Sequence, residues 1–132
     1  MASFGIAGLT ETSPDERLRE AHGALVRAMG EPLIDWLMGL QSVWRAGNIA
    51  VVHAAADPAL PLDAQPERVL RWGHPDFLTT PRRDEVWVIY GHTIVDAPRM
   101  EQGRIGIDTG AYASGRLTAA VVTDAGVHFE TT

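Results

Sequence analysis

Apolar residues recur at helical spacing in the N-terminal part of the chain. Leu25 and Met29 lie on one side of a predicted helix that begins at Ser13-Pro14, where proline suits the first turn. Gly30 is the predicted end of this helix. A second, short helix follows, and its apolar face comprises Leu33, Trp36, Leu37 and Leu40. A stripe of this kind usually packs against other apolar residues, so we expect this face to be buried.

Strand patterns replace the helical ones in the rest of the chain. Short apolar runs bounded by turn residues predict a hairpin at 42–53, single strands at 86–90 and 104–108, and a second hairpin formed by 116–122 and 127–131. A short helix is predicted near Glu67–Trp72. Helices followed by an array of partly antiparallel strands indicate an α+β fold. We expect residues 1–132 to form a single domain.

The composition narrows the range of partners and compartments. The chain has 132 residues, no cysteine and a formal net charge of −6. Without cysteine, any metal ion must be held by histidine, carboxylate or amide side chains. An acidic chain is not expected to bind nucleic acid, and no apolar run is long enough to cross a membrane. A cytoplasmic location is the expectation that fits this composition.

Two histidines occupy matching positions at the ends of predicted apolar strands. His53 closes the run Ile49–Val52, and His92 follows Val86–Tyr90 after the single residue Gly91. Ligand and catalytic groups are common where sheet strands end, and a neutral imidazole is a good ligand for zinc, iron or manganese. Each histidine alone is more typical of a structural residue. The shared placement makes a two-histidine metal site an equal alternative.

Three segments, taken in order, resemble a known family. They are Asn-Ile-Ala-Val-Val-His-Ala at 48–54, Val-Ile-Tyr-Gly-His-Thr at 88–93, and the long stretch at 104–118 that contains Asp-Thr-Gly-Ala and Gly-Arg-Leu-Thr. Together they resemble the C-terminal half of bacterial serine/threonine protein phosphatase-type metallophosphatases, in the calcineurin-like metallophosphoesterase superfamily. The resemblance covers nearly the whole chain. The Gly-His-Thr motif alone would be weak, whereas the ordered set is specific.

The resemblance implies a fold, a reaction and a metal site. The fold would be the C-terminal portion of a two-sheet β-sandwich with flanking helices, and the reaction would be hydrolysis of phosphate esters by two divalent ions. His53 and His92 would be ligands of the second ion, with manganese expected and iron or zinc possible. The family's other ligands and its general acid come from motifs of the forms G-D-x-H-G, G-D-x-x-D-R-G and G-N-H-E, which this sequence does not contain.

Three other side chains are candidate site residues, and the first of them is indicated by the resemblance. His74 stands where the family has an arginine that holds phosphate, with Arg71 close by, and both are candidate substrate-binding residues. Asp108 is a candidate hydrogen-bond partner for a ligand histidine, although capping of the following turn is the preferred interpretation. Arg82-Arg83 is interpreted as a solvated loop rather than an anion site. Ala55 and Asp57 depart from the family pattern, which casts doubt on efficient catalysis.

Two functional alternatives stay open, and both predict self-association. The substrate could be phosphoserine or phosphothreonine in proteins, another small phosphate ester, or a dinucleoside polyphosphate, because these enzymes share one core. The rival from another class is a non-catalytic remnant that acts as an interaction or regulatory domain. In either case the chain would lack the N-terminal half of the two-sheet sandwich, which would leave one apolar sheet face and a strand edge exposed. We therefore expect it to form a homo-oligomer through an exposed sheet face or edge.

Overall fold

The computed structural model describes residues 2–132, which form two compact units, residues 2–40 and Gln41–Thr132. Whether both units fold as one domain stays a prediction. Among residues 2–132, no helix combines the length and apolar character needed to cross a bilayer.

The first unit is dominated by one interrupted helix, α1 (Asp15–Met38), after a short 3₁₀ turn at Ala2–Phe4. Gly30 breaks α1 with φ 72° and ψ 157°, a conformation that glycine adopts at little steric cost. Pro32 follows in the first turn after the break, where its missing N–H is tolerated. The predicted end of one helix at Gly30 and the start of a second are therefore confirmed.

The expected burial of the second helical segment was wrong. Trp36 is 61% exposed, and Leu37 and Leu40 are also exposed, while Leu33 is half-buried. Ala21 is the buried residue that α1 contains among those described. Periodicity predicts that a helix has an apolar face, but it carries no information about what covers that face.

The second unit contains a five-stranded mixed sheet and a separate hairpin. The strands of the sheet are β1 (Val43–Ala46), β2 (Ile49–Val52), β3 (Trp87–Tyr90), β4 (Arg99–Glu101) and β5 (Arg104–Gly106), in the spatial order β1-β2-β3-β5-β4. Strands β2, β3 and β5 are parallel, and β1 and β4 pair antiparallel at the two edges. The hairpin comprises β6 (Thr118–Thr123) and β7 (Gly126–Thr131), and the unit's two helices are α2 (Glu67–Trp72) and α3 (Ala111–Ser114).

One face of the sheet forms the hydrophobic core. Alternate residues of β2 and β3 point to this face, as the two-residue period of a strand requires: Ala50, Val52, Val88 and Tyr90. Side chains from the segment between these strands cover them: Ala55, Ala56, Leu62, Val69, Leu70 and Phe77. The ring of Phe77 meets that of Tyr90 edge to face, with centroids 5.0 Å apart. The core therefore fixes α2 on this face of the sheet.

The opposite face carries an apolar row that crosses all five strands. Its members are paired in register: Trp44, Val51, Ile89, Ile105 and Met100. Ile89 and Ile105 are buried, but Trp44 is 55% exposed and Met100 is 48% exposed. A groove of about 690 Å³ separates this row from the inner side of β6 and β7. The apolar row is thus covered at its centre and open towards both edges.

The side chain of Arg82 is buried and connects two loop segments. The interpretation of Arg82-Arg83 as a solvated loop was therefore wrong for Arg82. The Arg82 side chain is 4% exposed and forms an ion pair with Asp84. Its Nη1 and Nη2 donate to the carbonyl oxygens of Asp57 and Leu60, each at 2.9 Å. The hydrogen bond and charge of Arg82 hold the pKa of Asp84 below its ordinary value. Arg83 is exposed.

We expect Arg82→Ala to lower the free energy of unfolding by about 2–3 kcal/mol, because it leaves carbonyls and a carboxylate without their donor. Arg83→Ala is the matched control and should change stability by less than about 0.5 kcal/mol. Urea denaturation followed by circular dichroism measures both. Equal, small losses of stability in the two variants would contradict the structural role of Arg82.

Candidate functional site

The parallel strands β2 and β3 bring the two histidines to one edge of the sheet. Val51 pairs with Ile89, so both strands end at the same level, and His53 and Gly91 follow them directly. The Gly91 N–H donates to the His53 carbonyl at 2.9 Å. A Cβ at residue 91 would lie 3.4 Å from that carbonyl oxygen. Glycine therefore allows the backbone to turn here while the two segments stay in close contact.

The two imidazole rings converge, as their matched positions predict. The ring centroids of His53 and His92 are 5.1 Å apart, with an interplanar angle of 55°. Two imidazoles that share one tetrahedral ion, with nitrogens about 2.0–2.1 Å from it, have centroids roughly 5 Å apart. The spacing of the pair thus fits a shared metal ion. Ligation itself stays a prediction.

The backbone of His92 is strained. Its φ of 64° lies in the left-handed region, which a residue with a Cβ seldom adopts. The Thr93 N–H donates to the Gly91 carbonyl at 2.6 Å, so His92 is the central residue of a γ-turn of the rare, positive-φ kind. Strain of this sort concentrates at functional sites, where it holds a side chain in a required direction. Here it directs the imidazole towards His53.

We expect His92→Gly to be more stable than His92→Ala by about 1 kcal/mol, because glycine adopts this conformation without steric cost. Both variants remove the imidazole, so the comparison isolates the backbone. Thermal unfolding of the two proteins checks it. A His92→Ala protein as stable as His92→Gly would show that the turn is not strained in solution.

Asp108 follows β5 and lies beside the same edge. Its Oδ1 accepts a hydrogen bond from the Gly110 N–H at 2.9 Å, which is the turn-capping contact that we preferred. Its Oδ2 lies 3.7 Å from the point where a Cβ at residue 91 would stand. The carboxylate is therefore close to the turn that carries His92. A role as hydrogen-bond partner of a ligand histidine stays a prediction.

The histidines and Asp108 line a cleft of about 290 Å³, and this cleft also contains an arginine that we had not singled out. Arg116 lies on its wall and donates from Nη2 to the Asp96 carbonyl at 3.1 Å. Thr109 Oγ1 donates to the Arg116 carbonyl at 2.9 Å, which holds the backbone at this residue. The only signal in the sequence was its position within Gly-Arg-Leu-Thr. The cleft therefore contains one positive charge beside two potential metal ligands.

The other predicted substrate-binding residues lie elsewhere. Arg71 forms an exposed ion pair with Glu67 at 2.8 Å, on the surface of α2. His74 Nδ1 accepts from the Asp76 N–H at 3.2 Å, and its Nε2 lies 3.6 Å from Asp57 Oδ2. Neither side chain lines the cleft of the histidine pair. His74 instead lines a neighbouring cavity of about 620 Å³. Their binding of substrate stays a prediction.

The histidine pair alone would be an incomplete metal centre, as far as the described chain shows. No three histidine or carboxylate side chains of residues 2–132 are grouped closely enough to hold an ion. Catalytic zinc, for comparison, usually has three protein ligands. These residues therefore fit part of a metal site, with two imidazole ligands.

Comparison with known proteins gives short sequence matches to curated proteins. No family model matches the chain. A segment of 36 residues is 47% identical to the bis(5'-nucleosyl)-tetraphosphatase PrpE [asymmetrical] of Bacillus mycoides (strain KBAB4), which is 27% of this chain and 15% of that protein. The PrpE of Bacillus cereus (strain AH820) is 54% identical over 33 residues, 25% of this chain and 13% of that protein.

A solved structure matches much more of the chain. It is described as that of "a putative diadenosine tetraphosphatase", and the two superpose with a TM-score of 0.60 at 22% sequence identity. The match covers 88% of this chain and 61% of the other, so the chain spans less than two thirds of that protein. The chain thus has the α+β metallophosphatase fold, as predicted. Its relatives are tetraphosphatases, and the serine/threonine phosphatase type is not confirmed.

Proposed function

We propose that this chain forms the two-histidine part of a metal-dependent phosphoester hydrolase that acts on dinucleoside polyphosphates. The observation that carries the proposal is the convergence of His53 and His92, with ring centroids 5.1 Å apart at one edge of the sheet. The chemistry of the donor set agrees, because two imidazoles suit manganese, iron or zinc.

The chain's own residues have distinct tasks in this proposal. His53 and His92 would hold one divalent ion, which supplies a polarised phosphate oxygen and an activated water when bound. Arg116 would bind a phosphate oxygen in the same cleft, because a guanidinium forms strong, directional bonds to phosphate. Asp108 would keep the turn beside the histidines in shape. The remaining metal ligands would come from polypeptide outside residues 2–132.

The choice of substrate rests on the relatives. PrpE and the matching structure are both described as tetraphosphatases of dinucleoside substrates. A phosphoprotein or another small phosphate ester uses the same kind of core and is the second candidate. Manganese is the proposed ion, and nucleic acids and membranes are not proposed as partners.

The test compares substrates with the full polypeptide expressed from the native gene, supplied with Mn²⁺. We expect kcat/KM for diadenosine tetraphosphate to exceed that for a phosphoserine peptide by roughly tenfold or more, and His92→Ala to abolish both activities. A preference for the phosphopeptide would favour the second candidate. Absence of activity towards either substrate, in a folded protein, would favour the non-catalytic remnant.

We also propose that the chain self-associates through the apolar row, with a second copy as the occupant. Trp44 and Met100 lie on the edge strands β1 and β4 and are about half exposed. Burying such side chains stabilises association by about 1.5–3 kcal/mol each.

We expect residues 1–132 to elute as a dimer or larger species at tens of micromolar, and Met100→Lys to weaken that association because it puts a charge in the row. Size-exclusion chromatography with light scattering measures the mass. A substitution at an exposed position off the row, Arg83→Lys, should leave the mass unchanged. A clean monomer at this concentration would contradict the proposal.

A further inference from the structure

An exposed tryptophan lies next to the histidine pair. Trp72 is the last residue of α2 and is 72% exposed. Its ring meets that of His92 edge to face, with centroids 6.0 Å apart and an interplanar angle of 83°. Large aromatic side chains are usually buried, so an indole that is held against a candidate metal ligand and open to solvent is available to a ligand.

The position of Trp72 is fixed by the core and not by its own packing. Val69 and Leu70 anchor α2 among the buried residues of the sheet face. The Leu70 carbonyl accepts a hydrogen bond from the Ala54 N–H at 2.8 Å, which ties the end of α2 to the residue that follows His53. The backbone that carries the indole is therefore anchored close to the histidine pair, which favours a preorganised binding surface.

Trp72 also forms part of the wall of the second cavity, the one of about 620 Å³ that contains His74. Arg68 lines it too and lies four residues before Trp72, on the same side of α2. Thr93, the residue after His92, lines the opposite part. A volume of this size suits a small ligand, and an aromatic face with a nearby cation suits an aromatic ring that carries phosphate.

We propose that Trp72 is the stacking surface for the base of a nucleoside phosphate whose phosphate groups lie towards His53 and His92. The location of the phosphate rests on the proposed function, whereas the stacking interaction rests on the indole alone. Because every base presents a π-face, Trp72 would favour nucleotides over phosphoproteins without selecting one base. Arg68 would add attraction for the phosphate of the bound nucleotide.

The experiment measures binding of AMP and of ribose 5-phosphate by NMR titration of the full chain in metal-free buffer. The two probes share a phosphate and a ribose, and differ only by the adenine base. We expect AMP to bind roughly tenfold or more tightly than ribose 5-phosphate, since stacking on an aromatic side chain is sequence-tolerant and strong. Trp72→Ala should remove this difference, and Trp72→Phe should retain part of it.

Trp36→Ala is the matched control, because Trp36 is another exposed tryptophan and belongs to α1 of the first unit. It should leave the preference for AMP unchanged. Equal binding of AMP and ribose 5-phosphate by the wild-type chain, or an unchanged preference in Trp72→Ala, would overturn the proposal. The titration measures binding without metal and does not measure hydrolysis. Failure of the base site can therefore be distinguished from failure of the proposed reaction.

Discussion

Residues 1–132 alone, supplied with Mn²⁺, are expected to hydrolyse p-nitrophenyl phosphate no faster than the His92→Ala variant does. A two-metal reaction needs a group that holds both ions at short spacing, and the described chain offers two imidazoles and no cluster of three ligands. A general acid within reach of the leaving group is also expected from outside the chain, and its loss typically costs a further ~10²–10⁴-fold. These losses need not add, because groups that act as a unit are strongly non-additive.

The assay uses purified wild-type and His92→Ala chains side by side, with and without Mn²⁺. The variant shows whether any residual turnover depends on the histidine pair rather than on a contaminating phosphatase. Robust manganese-dependent turnover that disappears in His92→Ala would mean that the remaining ligands are supplied in another way, for example by a second copy. The account of this chain as catalytically incomplete on its own would then be wrong.

Binding of Mn²⁺ should weaken roughly 10–100-fold or more when either His53 or His92 is replaced by alanine. Loss of even a supporting residue around a metal commonly costs that much affinity, and here a ligand itself is removed. The double variant should be little weaker than either single variant, because one imidazole alone barely holds an ion. Isothermal titration calorimetry gives the affinities.

His128→Ala is the control for this titration, since His128 is an exposed histidine on β7, with Nε2 3.8 Å from Glu130 Oε1. It should leave Mn²⁺ affinity unchanged. Equal losses at His53, His92 and His128 would indicate scattered surface binding rather than a site, and the pair would lose its proposed role.

The strands of the two hairpins could be predicted from the sequence. The hairpin of β1 and β2, and that of β6 and β7, agree with their predicted positions because short-range alternation and turn residues determine both. Strand β4 was not predicted. Its alternation, Arg99-Met100-Glu101, is only three residues long, and the turn at Gln102-Gly103 became recognisable only through the positive φ at both residues.

Convergence of the histidines could be predicted because it depends on topology that a sequence encodes. Two apolar strands in one parallel sheet end at the same edge, so His53 and His92 meet. The positions of Arg71 and His74 could not be predicted in this way. A helix of one or two turns directs neighbouring side chains to different sides, so Arg71 meets Glu67 while Trp72 meets His92. Arg116 was also missed, because it lies in a loop and the direction of a loop side chain depends on tertiary contacts.

The most direct test of the account is whether His53 and His92 bind one ion together. Long-range ¹H–¹⁵N NMR spectra of the imidazole rings, recorded as Zn²⁺ is added, follow each histidine separately. The account predicts that ring nitrogens of both residues change together and reach completion at one equivalent of Zn²⁺, while His22 and His128 do not respond. A response from only one of the pair, or from all histidines alike, would contradict it.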